Sequence, residues 1–143
     1  MAHLIVMSGE AGVGTRAIAE HVAKARRAVF LPLSPIVDAL GHAQKNSEHA
    51  YTIMAALAEA NLRLGLTVIA DCPNPSDATR RLFWQAADAA GASCLDVEVV
   101  ASAAASVEAG RASRQGDGLH LDTSRFPPED CARLVLAAIS DEY

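Results

Sequence analysis

A chain of 143 residues fits one domain, 1–143, and can bury a substantial core, because chains of this size remove roughly two thirds of their unfolded surface from water on folding. Its residues are 51% hydrophobic but 4% aromatic, so that core must be built mainly from Ala, Val, Leu and Ile, which suits helices packed closely on a sheet. A formal charge of −5 argues against nucleic-acid binding through charge alone, no stretch reaches the roughly 20 apolar residues of a membrane span, and no basic leader precedes the first strand, so a cytoplasmic protein is expected.

The organising stretch comes first. Leu4-Ile5-Val6-Met7 is an apolar run that breaks at Ser8 into Gly9-Glu10-Ala11-Gly12-Val13-Gly14 and continues through Thr15 and Arg16 into helix-like sequence. A strand that ends in a glycine-rich turn and feeds a helix leaves a row of backbone N–H groups uncovered, and with the helix N-terminus they form a cradle for phosphate oxygens. The pattern approached is G-x-x-x-x-G-K-[ST]. Gly9 and Gly14 keep its spacing, but Thr15 stands where the lysine belongs and Arg16 where the metal-binding hydroxyl belongs.

Residues 17–27 carry Ile18, Val22 and Ala25 at helical spacing, and 28–33 read as a second strand whose Pro32 points to a sheet edge, since proline cannot donate to a central ladder. Ser34-Pro35 ends that strand, a short helix is expected over 36–40, and 41–47 read as a polar loop. The longest helical pattern spans 48–64, with Ala50, Ile53, Met54, Leu57 and Leu64 on one stripe and Gly65 as its stop. Residues 66–70 form a continuous apolar run of the kind that fills a parallel strand covered on both faces, and the run ends on Asp71.

Ser76 is placed to cap a helix that reaches about residue 90, with Leu82, Phe83, Ala86 and Ala90 inward. In the strand expected over 95–100, Asp96 and Glu98 alternate with apolar residues, which predicts one less covered face. Residues 101–110 are rich in small residues and read as partly helical, 111–118 as polar and flexible, and 119–123 as a fifth strand. Pro127-Pro128 opens a last helix with Cys131, Leu134, Val135 and Ala138 inward. Alternating strands and helices predict an α/β fold in three layers, with a mostly parallel sheet of about five strands and helices on both faces. Cys72, Cys94 and Cys131 are too scattered for a zinc site or a disulfide framework and read as small core residues.

The glycine loop, the Gly65-x-x-Val68-Ile69-x-Asp71 strand, the helix with Arg80 and Arg81, and the Arg111-x-x-Arg114 segment before Leu121-Asp122-Thr123-Ser124 occur in an order that resembles the P-loop small-molecule kinases related to gluconate kinase, zeta-toxin kinases and polynucleotide kinase. The resemblance covers most of the chain. It implies a P-loop NTPase fold and ATP-dependent phosphorylation of a small molecule, with ATP and magnesium as cofactors. Gly9, Ala11, Gly12, Val13, Gly14, Thr15 and Arg16 would then contact phosphates, Asp71 would hold a magnesium water or face the acceptor, and Arg111 and Arg114 would act from a lid within about 102–118. The partner implied is a nucleotide or another phosphate-containing small molecule, and a homo-oligomer stays open.

Three departures weigh against activity. Thr15 cannot neutralise the β- and γ-phosphates as lysine does, Arg16 has no acceptor atom for magnesium, and Ser34-Pro35 lacks the aspartate these kinases carry at the end of the second strand. The lid-like segment is also short. A second reading therefore stands beside the kinase: a catalytically inactive pseudo-kinase that binds a nucleotide or anion, or oligomerises. Plainer roles also compete at single positions. Thr15 could be only a helix-start residue, Asp71 a turn former, and Arg16, Arg80, Arg81, Arg111 and Arg114 solvated charges. The five histidines form no local ligand pair and read as surface or strand-edge residues, while Trp84 suits the core or a subunit contact.

Overall fold

The computed structural model describes residues 2–9, 13–41, 46–72, 75–101, 112–113 and 118–139. β1 (His3–Ser8) leads through α1 (Thr15–Arg26) to β2 (Val29–Pro32), then α2 (Leu33–Leu40), α3 (Asn46–Arg63), β3 (Val68–Cys72), α4 (Asp77–Ala89), β4 (Ser93–Val100), β5 (Ala112–Ser113), β6 (Gly118–Asp122) and α5 (Pro128–Ile139). The strands form one sheet in the order β2-β3-β1-β4-β6-β5. The first five of these are parallel neighbours, and β5 adds two antiparallel residues to the outer side of β6, an addition the sequence did not announce.

β1 lies at the centre because it is apolar on both faces. Leu4 and Val6 face one core with Val68, Ala70 and the helices α2, α3 and α4, while Ile5 and Met7 face the other with Ile69, Val97, α1 and α5. Such two-sided burial is what a strand between two helical layers requires. Pro32 lies on the edge strand, as its missing N–H predicts. The alternation in β4 is also borne out, since Val97 and Val99 are buried while Asp96 and Glu98 take the opposite face, bonded to Trp84 Nε1 at 3.1 Å and to His120 Nδ1 at 2.9 Å. Ser76 caps α4 as expected, its hydroxyl accepting from the Thr79 N–H at 3.2 Å.

Several expectations need correction. α2 begins at Leu33 and takes in Ser34 and Pro35, because a proline in the first helical turn loses only an N–H that would have no partner there. In α1, Ala19 is buried and Ala25 exposed. The apolar stripe of α3 is rotated: Ala50 and Met54 are buried together with Ala55, Ala58 and Leu62, but Ile53, Leu57 and Leu64 are exposed by 38%, 43% and 75%. α3 is packed between α2 and α4, and alanines on that side let the helices approach closely. Trp84 is 45% exposed because the inward side of α4 is already taken by Phe83, Ala86 and Ala87. His3 is buried at the start of the central strand and paired with the Ser93 hydroxyl, so it is no surface histidine.

Cys72 and Cys131 are buried as expected and Cys94 half-buried. Burial raises all three thiols, and carries Cys94 to about 12, so none is reactive near neutral pH. Residues 102–111 and 114–117 of the lid-like segment, and 42–45 of the polar loop, lie outside the described residues.

The rotated stripe of α3 makes a direct prediction. Met54→Ala should lower the free energy of unfolding by about 2–5 kcal/mol, as truncations of buried Met do, and Leu64→Ala by less than about 0.5 kcal/mol. Urea titrations decide it; equal losses at the two positions would contradict this burial pattern.

Candidate functional site

At the carboxyl end of β1 the chain must leave a crowded sheet. Gly9 is buried there, and a Cβ on it would lie 2.6 Å from the Val99 carbonyl oxygen, so the backbone passes where no side chain fits. Gly14 closes the described part of the loop at φ 98°, a conformation that favours glycine, and acts as N-cap of α1. Its carbonyl accepts from the Ile18 N–H at 3.3 Å. Gly14 provides no capping side chain and the first turn of α1 holds no acidic residue, so among the described residues no side chain caps the positive end of α1, an arrangement suited to an anion.

Of the residues expected here, Gly9, Val13, Gly14, Thr15, Arg16 and Asp71 are described, and the structure brings them to one end of the sheet. Ala11, Gly12, Arg111 and Arg114 lie outside the described residues. Asp71 stands next to the strand that carries the loop, opposite Met7 on β1 and Pro32 on β2. In open α/β sheets this is the end at which ligands bind.

The first two side chains of α1 turn towards β3 and β2. Thr15 lies beside the Asp71 carboxyl and lowers its pKa, and Arg16 sets its guanidinium carbon 5.7 Å from the centre of the Phe30 ring while donating from Nη2 to the Ser34 hydroxyl at 3.3 Å. Arg16 is thus engaged at the β2–α2 corner. Asp71 is partly buried, and desolvation raises its pKa above the ordinary 3.8; Thr15 and Arg16 oppose that rise, and Glu20 adds to it. A carboxyl in this setting keeps its charge less readily than a solvated one.

A contact that no local spacing reveals comes from the far end of the chain. The Thr123 hydroxyl donates to the Val13 carbonyl at 2.6 Å and also lies 3.3 Å from the Val100 carbonyl, to which the Thr123 N–H donates at 2.9 Å. Thr123 is fixed in turn by a tight turn after β6, in which the buried Asp122 carboxylate accepts from the Ser124 N–H at 2.9 Å and from its hydroxyl at 2.6 Å. The Asp-Thr-Ser run was visible in the sequence, but only the placement of β6 two strands from β1 brings it to the loop.

With this geometry established, a sequence profile of the AAA domain family matches residues 4–127. The chain belongs to this AAA domain family. Among solved structures, it is similar to a sugar kinase from Janibacter sp. at 14% identity and TM-score 0.71, covering 99% of this chain and 96% of that one. An APS kinase from Mycobacterium tuberculosis in complex with AMPPNP and APS gives 14% identity and TM-score 0.76 over 98% of each chain. A gluconokinase from Sinorhizobium meliloti gives 13% identity and TM-score 0.69, over 97% of this chain and 91% of that one. No curated protein sequence is a significant match. At such identities the likeness establishes the fold, that of the P-loop kinases. No helix among the described residues is long and apolar enough to cross a membrane.

The setting of Asp71 gives a pH prediction with a definite sign. A carboxyl whose pKa is raised by folding is favoured while protonated, so its contribution to stability is lost as pH rises from the unfolded value, near 3.8, through the raised one. Asp71→Asn should therefore raise the melting temperature at pH 7, and the gain should fade towards pH 3. A variant that melts lower than the parent at pH 7 would show that the Thr15 and Arg16 contacts outweigh the desolvation.

Proposed function

We propose that this protein binds a nucleotide through the backbone of its glycine loop, and that its family role, ATP-dependent phosphorylation of a small molecule, is strongly impaired in this chain. The observation that carries the reading is the direction of Thr15 and Arg16. The residues standing in the place of the phosphate-binding lysine and the magnesium-binding hydroxyl are engaged with Asp71, Ser34 and Phe30. Phosphoryl transfer depends on positioning and on neutralising charge at the β- and γ-phosphates, and a threonine carries no charge to offer.

The residues present fit the two halves of a magnesium nucleotide unequally. Gly14 and the open end of α1 supply N–H donors for phosphate oxygens. A metal fits poorly: Arg16 has only donors, the Thr15 hydroxyl lies beside Asp71, and among the described residues no three His, Cys, Asp or Glu side chains are grouped to hold an ion. The structure of a neighbour with AMPPNP supports nucleotide as the class of ligand. Within this proposal Gly9, Val13 and Gly14 shape the cradle, Thr15 and Arg16 line its acceptor side with Asp71, and Ala11, Gly12, Arg111 and Arg114, which lie outside the described residues, are assigned phosphate contacts.

The second reading, a pseudo-kinase that works as an oligomerising module of one domain, draws support from the outer side of α3. Ile53 and Leu57 stand there one helical turn apart and stay exposed, with exposed Leu64 just past the helix end. Turnover separates it from a slow kinase.

Calorimetric titration with ATP and ADP, with and without magnesium, tests the proposal. Binding of ATP with at most a weak dependence on magnesium is expected, and silence at millimolar nucleotide would refute it. Changing Thr15→Lys together with Arg16→Ser should tighten ATP binding by about tenfold or more, since a charged hydrogen bond contributes roughly 1.5–3 kcal/mol. No gain from that double change would mean that the loop is not shaped for phosphate.

A further inference from the structure

We infer that Thr123 is a positioning residue for the glycine loop: by holding the Val13 carbonyl outward it aims the Gly14 N–H at the bound phosphate. The inference rests on the nucleotide-binding reading above and adds to it a residue 110 positions away from the loop.

In a trans peptide the C=O of one residue and the N–H of the next point in opposite directions, and no described peptide bond is cis. The 2.6 Å bond from the Thr123 hydroxyl therefore fixes two groups at once. It draws the Val13 carbonyl to the side of β6 and sends the Gly14 N–H the other way. An anion cradle needs this polarity, with N–H groups facing the anion and carbonyls turned from it. Left alone, the plane between Val13 and Gly14 could flip, because Gly14 at φ 98° has no side chain to resist rotation. A flipped plane would present a carbonyl oxygen to a phosphate.

Thr123 is suited to the task because it is itself held. Its N–H donates to the Val100 carbonyl at 2.9 Å, so its backbone belongs to the ends of β4 and β6, and the Asp122–Ser124 turn secures the next step of the chain. The methyl group adds contact: a Cβ on Gly14 would lie 3.6 Å from Thr123 Cγ2, so the threonine also lies against the loop at the residue whose N–H is in question. One side chain thus couples the carboxyl ends of β4 and β6 to the loop that follows β1.

The test uses the full chain labelled with ¹⁵N and ¹³C, inorganic pyrophosphate and adenosine as separate probes, and the variants Thr123→Val and Thr123→Ser. Valine keeps the shape and removes the donor; serine keeps the donor. Thr123→Val should weaken pyrophosphate binding about five- to tenfold, the effect of roughly one hydrogen bond, while adenosine binding stays within twofold and Thr123→Ser behaves as the parent. Unchanged pyrophosphate binding in Thr123→Val, or equal losses for both probes, would overturn the inference while leaving nucleotide binding intact. If the parent chain binds no pyrophosphate, the functional reading fails, and the resonances of the Val13 carbonyl carbon and the Gly14 amide still decide the orientation. They should move in Thr123→Val and not in Thr123→Ser; resonances that stay put in both would refute the hydrogen bond.

Discussion

The passage of the backbone beneath the Val99 carbonyl, where a Cβ on Gly9 would come within 2.6 Å, is the constraint on which the rest of the site depends. β1 is held between β3 and β4 along its whole length, with Ser8 opposite Cys72 on one side and Glu98 on the other. A chain leaving such a strand has to turn in the space that its neighbours leave. Glycine at the exit allows the turn, and glycine at φ 98° ends it at the first residue of a helix. The proposed cradle of N–H groups rests on these two glycines before any side chain is considered.

Side chains then decide what the cradle can do. In this chain they turn to the elements beyond β1: Thr15 lies beside Asp71 on β3, and Arg16 lies against Phe30 on β2 and Ser34 in the first turn of α2. Thr15 and Arg16 offset only part of the desolvation that raises the pKa of the Asp71 carboxyl. On the other flank, Thr123 fastens the loop to the ends of β4 and β6. The described end of the loop is thus flanked on both sides, by β3 with β2 and by the ends of β4 and β6.

Much of this was legible from residue order. The glycine spacing, the apolar runs at 4–7 and 66–70, the acidic alternation in β4 and the edge proline each reflect a local rule, and each led to the element found. What sequence could not supply was orientation between elements. The inward side of α3 turns on how closely it packs against α2 and α4, so Leu57 and Leu64 are exposed while Ala55 and Ala58 are buried. The start of α2 depended on whether Pro35 would end a strand or open a helix, and its place in a first turn settled that. Thr123 needed the strand order itself, since nothing within ten residues of it points to the loop. The direction of Arg16 likewise depended on Phe30 and Ser34 standing next to α1.

The most direct measurement of the central claim is a crystal structure of the full chain grown with AMPPNP. The account predicts phosphate oxygens within hydrogen-bond distance of the Gly14 and Thr15 N–H groups, with the Thr15 side chain still on Asp71 and Arg16 still over Phe30. Phosphates held by an Arg16 that has swung away from Ser34, or a nucleotide seated elsewhere on the sheet, would contradict it.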